Sequence, residues 1–257
     1  MTIDAKAVSR FAERMRNIRT EASTKILNYM DKTNFVDYVA RHGLDAYDLD
    51  YFIDYAYGIV TKYGEAAGAL SAEMYDALAE LSGKSLPPAV PAPTPKYGEV
   101  SKTIKGTLKQ SRRPSMIADA VGRQVKKVGA DTTLKNAARD GAQAAWVPQG
   151  DTCAFCIMLA SQGWQFVKDG NTVEHIHANC DCEYQVRFDS KTNIAGYDPG
   201  KYRKMYDSAE GDTWEEKLNS MRRDAYAENK EEINAQKRDA YEKRKELNGS
   251  AAEEIEV

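Results

Sequence analysis

The sequence predicts an α+β protein that is predominantly helical, and three observations carry that expectation. Apolar residues recur at helical spacing through about the first 85 positions. Five prolines then fall within residues 87–95. Beyond them all four cysteines lie between Cys153 and Cys182, and the residues that follow alternate with the period of a strand. The expected order is an N-terminal helical module at 1–86, a Pro-rich linker at 87–96, and an α+β domain at 97–227. That domain is expected to hold a small β-containing Cys/His knot at 150–190, and a charged helical tail at 228–257 closes the chain.

Val8, Phe11, Met15, Ile18, Ala22, Ile26 and Tyr29 recur at steps of three and four, which predicts one apolar stripe on a long first helix. A second helix is expected from about Ala46 to Leu81, with the break near His42-Gly43. Its tyrosines, Tyr47, Tyr51, Tyr55, Tyr63 and Tyr75, suit a core, a helix–helix seam or a partner surface. The proline stretch can be neither helix nor central strand and reads as an extended spacer, hence a domain boundary; a docking peptide is the other reading.

Lys96 to Trp146 returns to helical pattern. Pro114 suits the first turn of a helix running to about Gly129, and Asp131 is expected to cap a further helix reaching Trp146. Gly163–Val167 and Asn171–Val173, with a turn at Asp169-Gly170, suggest a hairpin. The alternation of Cys182–Phe188 predicts a half-buried strand, and Tyr197–Gly200 a turn. Thr213 with Glu216 forms a capping box opening a helix with Trp214, Leu218, Met221 and Ala225.

Composition excludes several classes. At 42% hydrophobic and 29% charged, the chain can build at least one real core, while a net charge of −3 excludes wholesale coating of nucleic acid. No apolar run reaches membrane-spanning length, and the charged, amphipathic start lacks a signal-peptide stretch, so synthesis in a cytoplasm is expected. In a reducing cytosol four clustered cysteines in 257 residues point to metal or catalysis before a disulfide framework.

The chemistry-bearing segment is Cys153-Ala154-Phe155-Cys156, followed some twenty residues on by His175-Ile176-His177-Ala178-Asn179-Cys180-Asp181-Cys182. A two-residue gap lets both sulfurs of the first pair meet one ion, and zinc takes four such donors in a tetrahedron. Cys153 and Cys156 are the first candidates. Cys180, Cys182 and His177 compete for the other places, and His175 either supports a ligand from behind or plays no part. A structural metal, a reversible disulfide or thiol cluster, and a catalytic metal all remain open. The deaminase signature does not match: Cys-x-x-Cys comes first, no proline precedes Cys153, and Glu174 precedes His175. Phosphate-loop, His-Glu-x-x-His and Gly-x-Ser-x-Gly templates have no counterpart.

Trp146-Val147-Pro148, Asp151–Cys156, Leu159-Ala160-Ser161, Gly163 and His177–Cys182 together resemble the C-terminal motif of Mu F-like minor head proteins of tailed bacteriophages. The forms from phages of Gram-positive bacteria are the most similar. The resemblance covers roughly residues 100–225, and Gly211–Lys217 with Met221-Arg222-Arg223 is also similar. His175 is additional to the family pattern. The resemblance implies a structural, non-enzymatic component of the virion head, assembled in the host cytoplasm. Its partners would be the portal or the major capsid protein, possible further contacts being with packaged DNA, and none with membrane. It also implies zinc in a structural role.

The 96–146 segment carries eleven lysines and arginines against Glu99, Asp119, Asp131 and Asp140. Arg112, Arg113, Lys126 and Lys127 are its candidate DNA contacts, through salt-sensitive bonds to phosphate. The plainer alternative is solvated helix faces. Two other functions compete with the head-protein reading. One is a metal-dependent enzyme acting on nucleic acid, with Glu174 and His175 lining a cleft; the other is a zinc-knuckle DNA-binding protein.

Overall fold

The computed structural model describes residues 2–43, 47–111, 113–150, 152–168, 176 and 180–253. The N-terminal part folds as three helices: α1 (Ala5–Lys32), α2 (Phe35–His42) and α3 (Tyr47–Leu81). The Asp4 carboxylate accepts the Lys6 N–H at 2.9 Å and so starts α1. The predicted stripe is the buried one: Val8, Phe11, Met15, Ala22 and Ile26 are inside, with Ile18 and Tyr29 half-buried. Gly43 ends α2 at φ 79°, a conformation glycine adopts without strain, at the predicted break. Of the tyrosines, Tyr63 and Tyr75 are core, Tyr55 stacks on Tyr29 and Tyr51 is exposed. No helix among the described residues is long and apolar enough to cross a membrane.

α4 (Tyr97–Gln110) and α5 (Pro114–Asp140) follow. α5 is one continuous helix where a restart at Asp131 was expected; Asp131 sits inside it, paired with Lys127 one turn back. Gly141 closes it in the left-handed region at φ 65°. Gln143–Val147, expected as the end of a helix, is strand β2. Its apolar run satisfies either period, and pairing with two other strands decides the matter.

α5 is the spine. Ile117 and Val121 pack with α1, α2, α3 and α4; Val125 meets the middle of α1 and α3; Ala130, Leu134 and Ala137 join the sheet. A helix buried on nearly every side needs apolar or small residues all round, which α5 has in place of a single stripe.

The proline stretch is a strap rather than a boundary. Residues on both sides of it share one core, Ile26 and Phe52 with Val100, Ile104 and Ile117. The strap lies along α3 and α5 with its backbone polar groups bonded. Ala89 N–H donates to Asp76, Ala92 N–H to Thr132 Oγ1, and Arg139 donates to the Pro87 and Pro88 carbonyls. The Asn136 amide both donates to the Val90 carbonyl and accepts its N–H, each at 2.9 Å. Asn136→Ala orphans a partly buried donor and acceptor, a loss of about 2–3 kcal/mol. Denaturant melts should show that loss, with faster proteolysis between residues 86 and 96. Unchanged stability and cleavage would refute the strap's contribution.

The sheet has the order β3-β2-β4, all antiparallel, from β3 (Gln165–Phe166) and β4 (Glu183–Arg187). β3 pairs with β2, and Asn171–Val173, expected as its hairpin partner, lie outside the described residues. β4 is buried on both faces: Glu183 and Gln185 are as inaccessible as Val186, against the expected half-exposed strand. α6 (Ala154–Ser161) leads from β2 towards β3. β1 (Thr2–Ile3) pairs in parallel with β5 (Asn193–Ile194), fastening the start of α1 to the sheet region. Asp198, expected in a turn, caps α7 (Pro199–Asp207) by accepting the Gly200 N–H. The predicted capping box opens α8 (Trp214–Glu228), and α9 (Lys230–Glu253) carries the charged tail.

Candidate metal centre

Cys153 stands at the N-cap of α6 and Cys156 three positions on, inside the first helical turn. That spacing folds the second thiol inward, where Cys156 is fully buried, and leaves Cys153 exposed. Cys180 and Cys182 lie on the run entering β4. With one residue between them in extended backbone, two side chains share a face and the middle one takes the other. Asp181 is that middle residue, and its carboxylate meets Arg16 and Arg19 of α1, each at 3.2 Å.

The structure thus brings Cys156, Cys180 and Cys182 together, their sulfurs all within 4.8 Å of one another. Cys156 Sγ and Cys180 Sγ are 3.1 Å apart and none of the four cysteines is in a disulfide. The Cys182 N–H donates to Cys180 Sγ at 3.4 Å. Hydrogen bonds from Cys156 and then Cys182, with the Lys126 charge nearby, hold the Cys180 thiol far below its ordinary range. The Cys156 thiol is pushed up by its contacts with Cys153, Cys180 and Cys182 and by burial. The three sulfurs are close enough to close on one cation once their protons are released.

The loop bearing Cys180 and Cys182 is fastened from behind. Lys126, on α5, is fully buried, and its three ammonium protons have three acceptors: the Cys180 carbonyl, the Cys182 carbonyl at 2.8 Å, and Glu183 at 3.4 Å. Its Nζ also lies 5.3 Å from the centre of the Trp146 ring. Arg19 adds a bond to the Cys180 carbonyl at 2.8 Å. Its stem crosses α5 at Gly122, where a Cβ would come within 3.1 Å of Arg19 Cγ, so the glycine makes the passage. Burial raises the Glu183 carboxyl to about 7 against the lowering effect of Lys126.

Among the predicted donors, then, Cys156, Cys180 and Cys182 form the cluster, while Cys153 stands at its edge, its thiol touching that of Cys156. His175 and His177 lie outside the described residues, as do Glu174 and Arg112. Lys126 is corrected: it faces the interior and is spent on the cysteine loop, so it presents nothing to DNA. Lys127 is partly exposed and pairs with Asp131, and Arg113 is exposed at the start of α5. Arg19, Lys126 and Glu183 were not anticipated as parts of this site. The one available signal was a lysine flanked by the buried Val125 and Val128 of α5.

Three buried sulfurs fit a soft or borderline cation, zinc first, and suit neither magnesium nor calcium, which take oxygen. The VG15 protein family matches residues 2–209. The chain belongs to this family. The VG15 match takes in the strap, the spine helix and the whole cysteine cluster, and it ends ahead of α8. No curated protein and no solved structure matches the chain.

Proposed function

We propose that this VG15 family member is a Mu F-like minor head protein of a tailed bacteriophage, a non-enzymatic assembly component that docks on the portal or the inner capsid face. The observation that carries the reading is one coincidence. Three of the four cysteines of the resembling motif form the cluster, which is tied to the helical spine α5 through Lys126 and to α1 through Arg19. Such a site is built to hold two parts of a fold in register. We take zinc to be the ion, with Cys156, Cys180 and Cys182 as three ligands and either Cys153 or His177 as the fourth. Bound there, zinc would supply folding energy.

Co-expression with the portal of the same phage should give a stable complex, and purified virions should contain the chain in few copies. Normal virions from a deletion phage, together with absence of the chain from wild-type particles, would overturn the reading.

A further inference from the structure

A groove of about 1280 Å³ runs between α4, α5 and α8. Each helix turns one face into it at helical spacing: Lys102 and Gly106, Arg123 and Lys127, Trp214 and Arg222. Of the acids at its rim, Asp131 pairs with Lys127, and Glu99 accepts the Lys96 N–H at the start of α4. Glu215 is left against Lys102, Arg123 and Arg222, which have no acidic partner among the described residues. In a chain of net charge −3, three such cations converge from three helices on one concavity. Low-dielectric walls focus their field and draw an anion in.

Two further features say which anion. Trp214, 52% exposed, lines the groove, as does Phe155. At Gly106 the wall is bare, and a Cβ there would meet nothing within 4 Å. Cations that follow a backbone, with an aromatic face free to stack, are what single-stranded nucleic acid requires. A duplex keeps its bases stacked inside and offers the indole none. We propose that this groove binds a single-stranded stretch of nucleic acid, with phosphates on Lys102, Arg123 and Arg222 and a base on Trp214. The inference goes beyond the head-protein reading and stands on the groove alone; the binding itself is tested on purified protein.

The full-length protein is titrated with oligo(dT) of about 12 nucleotides, a length within the usual site size for such grooves. Trp146 is buried, and Trp164 is half-buried under Arg187 and does not line the groove, so quenching of tryptophan emission should come chiefly from Trp214 and be lost in W214F. Three phosphate contacts predict a log–log salt slope near −2, at about −0.7 for each. K102A/R123A/R222A should flatten that slope and weaken binding at least tenfold, by the same counterion arithmetic. Gly106→Phe, which fills the groove without changing charge, should weaken binding with the helical signal intact. No binding at low salt overturns the proposal, as does an unchanged slope in the triple variant. Tighter binding of polyglutamate than of oligo(dT) also overturns it and assigns the groove to an acidic protein partner. If oligonucleotide binding fails while the chain is still found in virions, the groove alone is refuted.

Discussion

Chelation of the proposed zinc, or the substitution Cys180→Ser, is expected to loosen the sheet region while leaving the helical bundle folded. Cys180 links the other two sulfurs, and its carbonyl is the shared acceptor of Lys126 and Arg19. Structural zinc contributes roughly 10–16 kcal/mol in small zinc-dependent peptides. Here two hydrophobic clusters of α1 to α5 contain no cysteine and should outlast the loss. Hydrogen exchange should therefore rise across residues 142–197 on chelation and stay low in α3 and the first half of α5. Elemental analysis should find about one zinc per chain, with the thiols protected until chelator is added. Four thiols reactive from the start, with no metal and no change in exchange, would remove the zinc and leave the thiol cluster.

Lys126→Met is expected to cost about 3–5 kcal/mol, the usual penalty for breaking a buried ion pair from one side. It leaves the Glu183 carboxyl buried at 3% exposure and takes the donor from two carbonyls. The double variant Lys126→Met/Glu183→Leu separates these roles. If Lys126 served only Glu183, an apolar pair would restore stability in full. Since its ammonium also holds the Cys180 and Cys182 carbonyls, and the Cys180 carbonyl keeps Arg19 as a donor, recovery should stop short by about 1–3 kcal/mol for the Cys182 carbonyl. Chemical denaturation of the two variants measures this directly. Complete recovery would show that the carbonyl bonds contribute nothing to stability.

How much of this was legible in the chain varies by element. α1, the break at Gly43, α3 and α8 were readable because their determinants are local: a repeating apolar stripe, a glycine and a capping box. β2 was not, since Gln143–Val147 satisfies a helix or a strand until β3 and β4 pair with it. The strap misled for a related reason. Proline content says that residues 87–95 are extended, but whether they hang free depends on Asn136, Thr132 and Arg139, some forty to fifty residues away. Asp131, a good cap by residue type, was overruled because α5 is enclosed by other helices and gains by continuing.

The cysteine spacing by itself pointed to a cluster, because Cys-x-x-Cys at a helix start and Cys-x-Cys ahead of a strand each keep two sulfurs close along the chain. The tertiary structure alone decided which sulfurs meet and what stands behind them. Lys126 reads in sequence as one more surface cation, yet it is fully buried and bonded to three acceptors. Glu183 reads as the outward residue of an alternating strand, yet it faces that lysine. Periodicity records how a residue sits on its own helix or strand. It carries no information about which distant element will cover that face, and a charge can be buried only where another part of the chain supplies its partner.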